Sequence, residues 1–332
     1  MNLQLTILAE SQGGVFTRAQ AFSYGFSLDE VRRAVSSGTW HRVRRGTYVT
    51  AQRWEELDLA GRHVLGLRAV MLSTAPPVVA SHSTAAAVLS LEQWEPSYDW
   101  IHVTRPEHSA RREAGVWHHE ATLASHHVVS MSGVLTTSPV RTAVDIARTV
   151  DFEHAVVIVD SALRLTGAGV ETLRAAHLET VDWPGARGAG RAVAFADARS
   201  GSPGESRARV HLAGVALIEV LSQVSIYDES DRLVGVGDWL VDGKIITEFD
   251  GRMKYGLDGL DPAALSERLW REKEREDALR RLGYEIVRIV WADLYHPERI
   301  RSRVRAAMAR AAVSGPIRGR FAVDPLRTIQ AV

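Results

Sequence analysis

The sequence predicts a multidomain chain of α+β and α/β type: an N-terminal winged helix-turn-helix, a mixed α/β middle domain, and a C-terminal α/β core with a mixed sheet. Three observations predict it. Two capping-box patterns and an Arg-Gly hairpin follow one another within the first 50 residues. Strand-like and helix-like periods alternate through the middle third. The last third runs helix, three strands, helix, strand, helix. A chain of 332 residues allows two or three domains at about 150 residues each.

Within residues 1–54, Leu3, Leu5 and Leu8 give an apolar-periodic segment that ends at Gly13-Gly14. Thr17-Arg18-Ala19-Gln20 and Ser27-Leu28-Asp29-Glu30 each place a hydroxyl three residues before Gln or Glu, the pattern that opens a helix. The expected helices cover 17–24 and 27–37, stopped at Gly25 and Gly38. Trp40 to Val49 then alternates about Arg45-Gly46, as a two-stranded ribbon does.

Residues 55–183 form the middle domain. Leu57–Leu72 has helical period, Val78–Ala80 leads as a strand into a helix from Ser81 to Leu89, and Ser81 and Ser83 are expected to cap that helix. Trp100–Thr104, Gly115–His119 and His127–Ser132 read as strands, and Ser138–Val150 and Phe152–Leu165 as helices. Residues 184–204 are rich in Gly and small residues and read as a linker, with a short helix near Arg191–Arg199. In the last domain, 205–312, the expected order is helix 205–221, strands 223–228, 234–240 and 244–250, helix 265–282, strand 285–290 and helix 297–312. The tail 313–332 is expected to lack regular structure.

Composition excludes several classes. Basic and acidic residues both number 40, so the chain is neither histone-like nor acidic. Cys is absent, which removes disulfides, cysteine catalysis and thiolate metal sites. No apolar run reaches the roughly 18 residues of a membrane span. The first residues do not read as a signal peptide, and a cytoplasmic location is the expectation. Only Lys244, Lys254 and Lys273 are lysines. Codon usage explains much of this, yet all three fall in one short stretch, where an ammonium would be kept for a purpose.

That stretch also gathers carboxylates. Glu248 and Asp250 project from one face of their strand, and the hairpin at Asp242-Gly243 brings Asp238 beside them. Glu205 opens the preceding helix, and Lys254 stands at the strand exit. Clustered carboxylates at the end of a buried strand repel and need a counterion. Mg²⁺ or Mn²⁺ would supply it, hold a phosphate and activate water, with a lysine stabilising the transition state. A solvated hairpin is the alternative for these residues taken alone.

Resemblance adds to both ends. Glu205–Leu294 resembles the nuclease-like domains related to very-short-patch-repair endonucleases, within the restriction-endonuclease-like PD-(D/E)xK superfamily. The pieces are Ser202-Pro203-Gly204-Glu205, Gly237-Asp238-Trp239, Glu248-Phe249-Asp250 through Lys254-Tyr255, and Arg275 to Arg288. It implies Asp238 and Glu248 as metal ligands, with Glu205 as a supporting carboxylate; Asp250 is expected to assist at the metal. Asp250 stands where the superfamily's Lys usually stands, and Lys254 would supply the ammonium from a shifted position. Residues 15–49 resemble the winged-helix module of AbiEi-type antitoxins, through Gly13 to Arg18, Asp29 to Arg33, and the Trp40–Tyr48 hairpin. Ser81 to Ala86 and Thr136 to Asp145 resemble the same family.

The first 50 residues hold six arginines, Arg18, Arg32, Arg33, Arg42, Arg44 and Arg45, against Glu10, Asp29 and Glu30. With Val31 and Val35 inward, Arg32 and Arg33 face out as on a recognition helix, and Arg42 and Arg44 share a hairpin face that would reach phosphates. His108, His118, His119, His126 and His127 crowd the middle domain, but adjacent pairs on strands split between two faces, which argues against a shared metal. Two functions follow as expectations. One is a DNA-binding protein with a divalent-metal-dependent endonuclease domain. The other is an AbiEi-like antitoxin or repressor, with a cognate toxin or its own promoter as partner, on a catalytically retired nuclease scaffold.

Overall fold

A computed structural model describes residues 2–74, 78–106, 110–215, 219–251 and 262–323. It is a mixed α+β chain with several sheets, divided into two compact units, 1–149 and 150–332. Among the described residues no helix is long and apolar enough to cross a membrane.

The first unit begins with α1 (Leu3–Ser11), β1 (Phe16–Thr17), α2 (Arg18–Ser23), α3 (Leu28–Ser36), β2 (Trp40–Arg44) and β3 (Thr47–Thr50). Both capping boxes form: Thr17 and Ser27 accept from the backbone of Gln20 and Glu30, whose side chains accept in return. The three strands pair antiparallel in the order β1-β3-β2. Leu5, Ala9, Phe16, Ala21, Val31 and Trp40 share one core, with Trp40 edge-on to Phe16 at 4.8 Å between ring centroids.

Helices α4 (Ala51–Glu55) and α5 (Leu59–Leu72) lead into β4 (Val79–Ala80), α6 (His82–Val88), β5 (Ile101–Arg105), β6 (Arg111–Glu113), β7 (Val116–Glu120), β8 (Val128–Met131), β9 (Val134–Thr137) and α7 (Pro139–Ala147). The six strands form one mixed sheet, β6-β7-β5-β4-β9-β8, parallel at β5–β7 and β4–β9. Ile101, Val103, Val116 and Val134 give one sheet face to a core with Leu67 and Val70 of α5. His102, Trp117 and His119 alternate onto the other face.

The second unit runs α8 (Phe152–Thr166), α9 (Val170–Leu178), α10 (Ala186–Phe195), α11 (Pro203–Ala213), β10 (Val220–Tyr227), β11 (Leu233–Val241), β12 (Ile245–Asp250), α12 (Pro262–Arg281), β13 (Glu285–Val290), α13 (Trp291–Leu294), α14 (Pro297–Val313) and β14 (Arg320–Val323). Its sheet, β13-β12-β11-β10-β14, is antiparallel except at β12–β13. Trp239, Val241 and Ile245 face α11, α13 and α14. Their sequence neighbours Leu240 and Ile246 face Leu279 of α12. Period-two apolar alternation thus clothes both faces of the sheet.

Three expectations need correction here. The stretch 184–204 is not a plain linker, because α10 buries Ala189, Ala192 and Val193; small residues that read as flexible are what lets a helix pack closely. The first helix of the last domain stops at Ala213, and β10 begins at Val220. The tail contributes β14, which pairs with β10 from Val224 to Tyr227; edge pairing of this kind leaves no period in the sequence around it.

Candidate functional site

On α3, Val31 is buried and fixes the helix against Trp40, so Arg32 and Arg33 point outward. Both are exposed, as are Ser36, Arg18 at the start of α2, and Arg42 and Arg45 on the hairpin. Arg32 meets Asp29 at 3.5 Å with both side chains largely in solvent, a contact of small energy that a phosphate can displace. Arg44 differs from the expectation. A register shift falls between Arg42 and Arg44, so the two do not share a simple face. The Arg44 guanidinium donates to the Ala114 carbonyl at 2.6 Å, and burial lowers its pKa. Five of the six arginines are therefore exposed to solvent and the sixth is spent on an internal contact.

In the second unit Gly204 lets the start of α11 approach β12, since a Cβ there would fall 2.2 Å from the Phe249 ring. Glu205, next along, accepts from Gly201 N at 2.8 Å and Ser202 Oγ at 3.2 Å. Burial, then the nearby Asp238 charge, raises its carboxyl to about 7. Asp238 accepts from Phe249 N at 2.7 Å, and burial, with Glu248 adding to it, raises its pKa as well. Glu248 is engaged bidentately by Arg275 of α12, Nη1 at 2.7 Å and Nη2 at 3.0 Å. Asp250 ends β12, half-buried and in register with Val290. Lys254 lies outside the described residues, as does His108. Lys244 is not at the carboxylates; its ammonium donates to Ala311 O near the end of α14, where a helix C-terminus favours a cation.

Glu248, one of the two carboxylates expected to hold Mg²⁺ or Mn²⁺, is already paired with a guanidinium. Mg²⁺ is commonly held through one or two carboxylates, with water completing its shell. Both Glu248 oxygens are taken by Arg275, and among the described residues no three of these acids bring oxygens within 4.8 Å of one another. For Glu248 the counterion is an internal guanidinium. Arg275 lies four residues before the buried Leu279, and that spacing on one helix face was the available signal.

A second group was missed by sequence reasoning. His82 at the start of α6, His102 on β5 and His119 on β7 bring one ring nitrogen each within 4.8 Å of the others. Burial and mutual repulsion lower His102 and His119 to about 3, and His82 well below its usual value, so all three are neutral at pH 7. Alternation does split His118 from His119, as expected, but His119 meets histidines of other elements.

Residues 4–51 match the model of a family described as "Transcriptional regulator, AbiEi antitoxin". The chain is also similar to two uncharacterized proteins of Mycobacterium tuberculosis, from strains CDC 1551 and H37Rv. Each is 29% identical over 284 residues, covering 85% of this chain and 97% of the relative. The matched segment spans α1 to the end of the hairpin and so contains the exposed arginines.

Proposed function

We propose that this chain is a DNA-binding regulator of the AbiEi antitoxin kind. Residues 1–54 act as a winged helix-turn-helix, with α3 in the major groove and the β2–β3 hairpin as the wing. The match of residues 4–51 to the antitoxin family carries the reading. The outward Arg18, Arg32, Arg33, Arg42 and Arg45 support it, because exposed guanidinium groups on such a module are the charge that phosphate contacts use. A cognate toxin is the expected protein partner, and the chain's own promoter the expected DNA. The second unit serves as a retired scaffold in this reading, since Arg275 stands in the acidic cluster where an ion would have to enter.

Fluorescence anisotropy with promoter duplex over a salt series tests this. Removing one phosphate-neutralising side chain should flatten the slope of log K against log salt by about 0.9. Arg32→Ala and Arg33→Ala are expected to do so, whereas Arg44→Ala is expected to leave the slope unchanged. Salt-independent binding, or no binding, would overturn the reading. Phosphodiester cleavage with Mg²⁺ or Mn²⁺ that disappears in Asp238→Ala would restore the nuclease.

A further inference from the structure

Three imidazoles from three separate elements converge on the sheet face opposite the α5 core. His102 Nδ1 and His119 Nε2 are 2.9 Å apart in a hydrogen bond, and the His82 and His119 rings stack with centroids 3.9 Å apart, so an ion entering here would replace that bond and turn a stacked ring until the lone pairs meet. His82 has φ 50, a conformation uncommon outside Gly, Asn, Asp and His, and it sets the ring above β5 and β7. Ser81 Oγ lies 3.1 Å from His82 Nδ1. A ring donating there carries its lone pair on Nε2, the way an outer hydrogen bond orients a metal-ligating histidine. Thr84 Oγ1 accepts from His102 N at 2.8 Å and ties α6 to β5. The site is therefore braced by neighbouring hydroxyls on its backbone and ring atoms.

We propose that His82, His102 and His119 form a binding site for a divalent transition-metal ion of the zinc type. Tetrahedral bonds of about 2.0–2.1 Å place ligand nitrogens about 3.3 Å apart, a few tenths of an ångström wider than the His102–His119 spacing. Neutral imidazole without thiolate or carboxylate selects zinc, cobalt, nickel or copper over magnesium or calcium. The group offers three protein ligands, so the ion keeps one position for water or an anion. Arg112 and Arg148 act electrostatically on these rings, and Asp145 on His119. The excess of positive charge favours an anion in the open position.

The experiment titrates Co²⁺, then Zn²⁺ as competitor, into the full chain carrying no histidine tag. One equivalent is expected to bind saturably, with visible tetrahedral d–d bands that Zn²⁺ abolishes. His102→Ala and His119→Ala should lose the bands, and Ser81→Ala should weaken binding about tenfold. The exposed His296→Ala should bind like the parent. Trp117 stacks on His119 at 4.9 Å between centroids, so bound Co²⁺ should quench its fluorescence, and Trp117→Phe should remove that component while the bands remain. A featureless titration of the parent chain overturns the proposal and leaves a hydrogen-bonded histidine stack. So does Co²⁺ binding that survives both alanine variants unchanged.

Discussion

Glu205 offers a direct reading of the acidic cluster. Its carboxyl lies at about 7 against a usual 4.5, because burial and the Asp238 charge outweigh the hydrogen bonds from Gly201 and Ser202 and the Arg164 charge. The folded chain therefore holds a proton that the unfolded chain releases. The stability tied to this group is full below about pH 4.5 and is lost as pH rises through about 7. At 1.36 kcal/mol per tenfold change in proton affinity the full difference is about 3 kcal/mol, and partial solvent access reduces it to about 1–3 kcal/mol. Glu205→Gln keeps the shape and removes the titration. Urea unfolding at pH 5 and pH 8 should show the variant gaining on the parent by that amount at the higher pH. The ¹³C shift of the Glu205 carboxyl should move near neutrality. Titration near 4.5, or parallel pH profiles for parent and variant, would refute the account.

Other outcomes follow from the same contacts. Asp160 is fully buried and accepts from Arg209, Ser206 and Asp197 N; Asp160→Asn should cost about 3–5 kcal/mol in urea unfolding by stranding the Arg209 charge. Arg275→Met should lower the second unit's stability by about 1–3 kcal/mol, less than a deeply buried pair because both side chains keep some solvent contact. Ser27→Ala removes the α3 cap and should cost about 1 kcal/mol in thermal unfolding.

What was legible in the sequence was local. The capping boxes at Thr17 and Ser27 involve atoms three residues apart, and both form. Strand 285–290 was bounded correctly because Gly283 and the helix before it punctuate it. What was not legible joins distant segments. The bond that removes Arg44 from the solvent-facing set spans 70 residues. Arg275 reaches Glu248 across 27 residues, so the acids looked unpaired in sequence while the pairing cation stood on the next helix. The histidine group draws one ring from each of three elements, and no spacing rule within one element can reveal it.

The arginine content divides into two populations that a lysine test can separate. All but three of the 40 basic residues are Arg, and inside the protein many act as forks. Arg303 grips both Asp293 oxygens at 2.7 and 2.9 Å, and Arg275 both Glu248 oxygens, each through two nitrogens. An ammonium cannot reproduce two parallel bonds. Arg303→Lys is thus expected to lower unfolding stability by about 1–2 kcal/mol although the charge is kept. On α3 the expectation reverses. A phosphate contact counts charge, so Arg32→Lys and Arg33→Lys should leave the salt slope of DNA binding intact while the alanine variants flatten it. If lysine at Arg32 and Arg33 flattens the slope as alanine does, those side chains are not neutralising phosphates, and the surface they form is not a backbone-binding one.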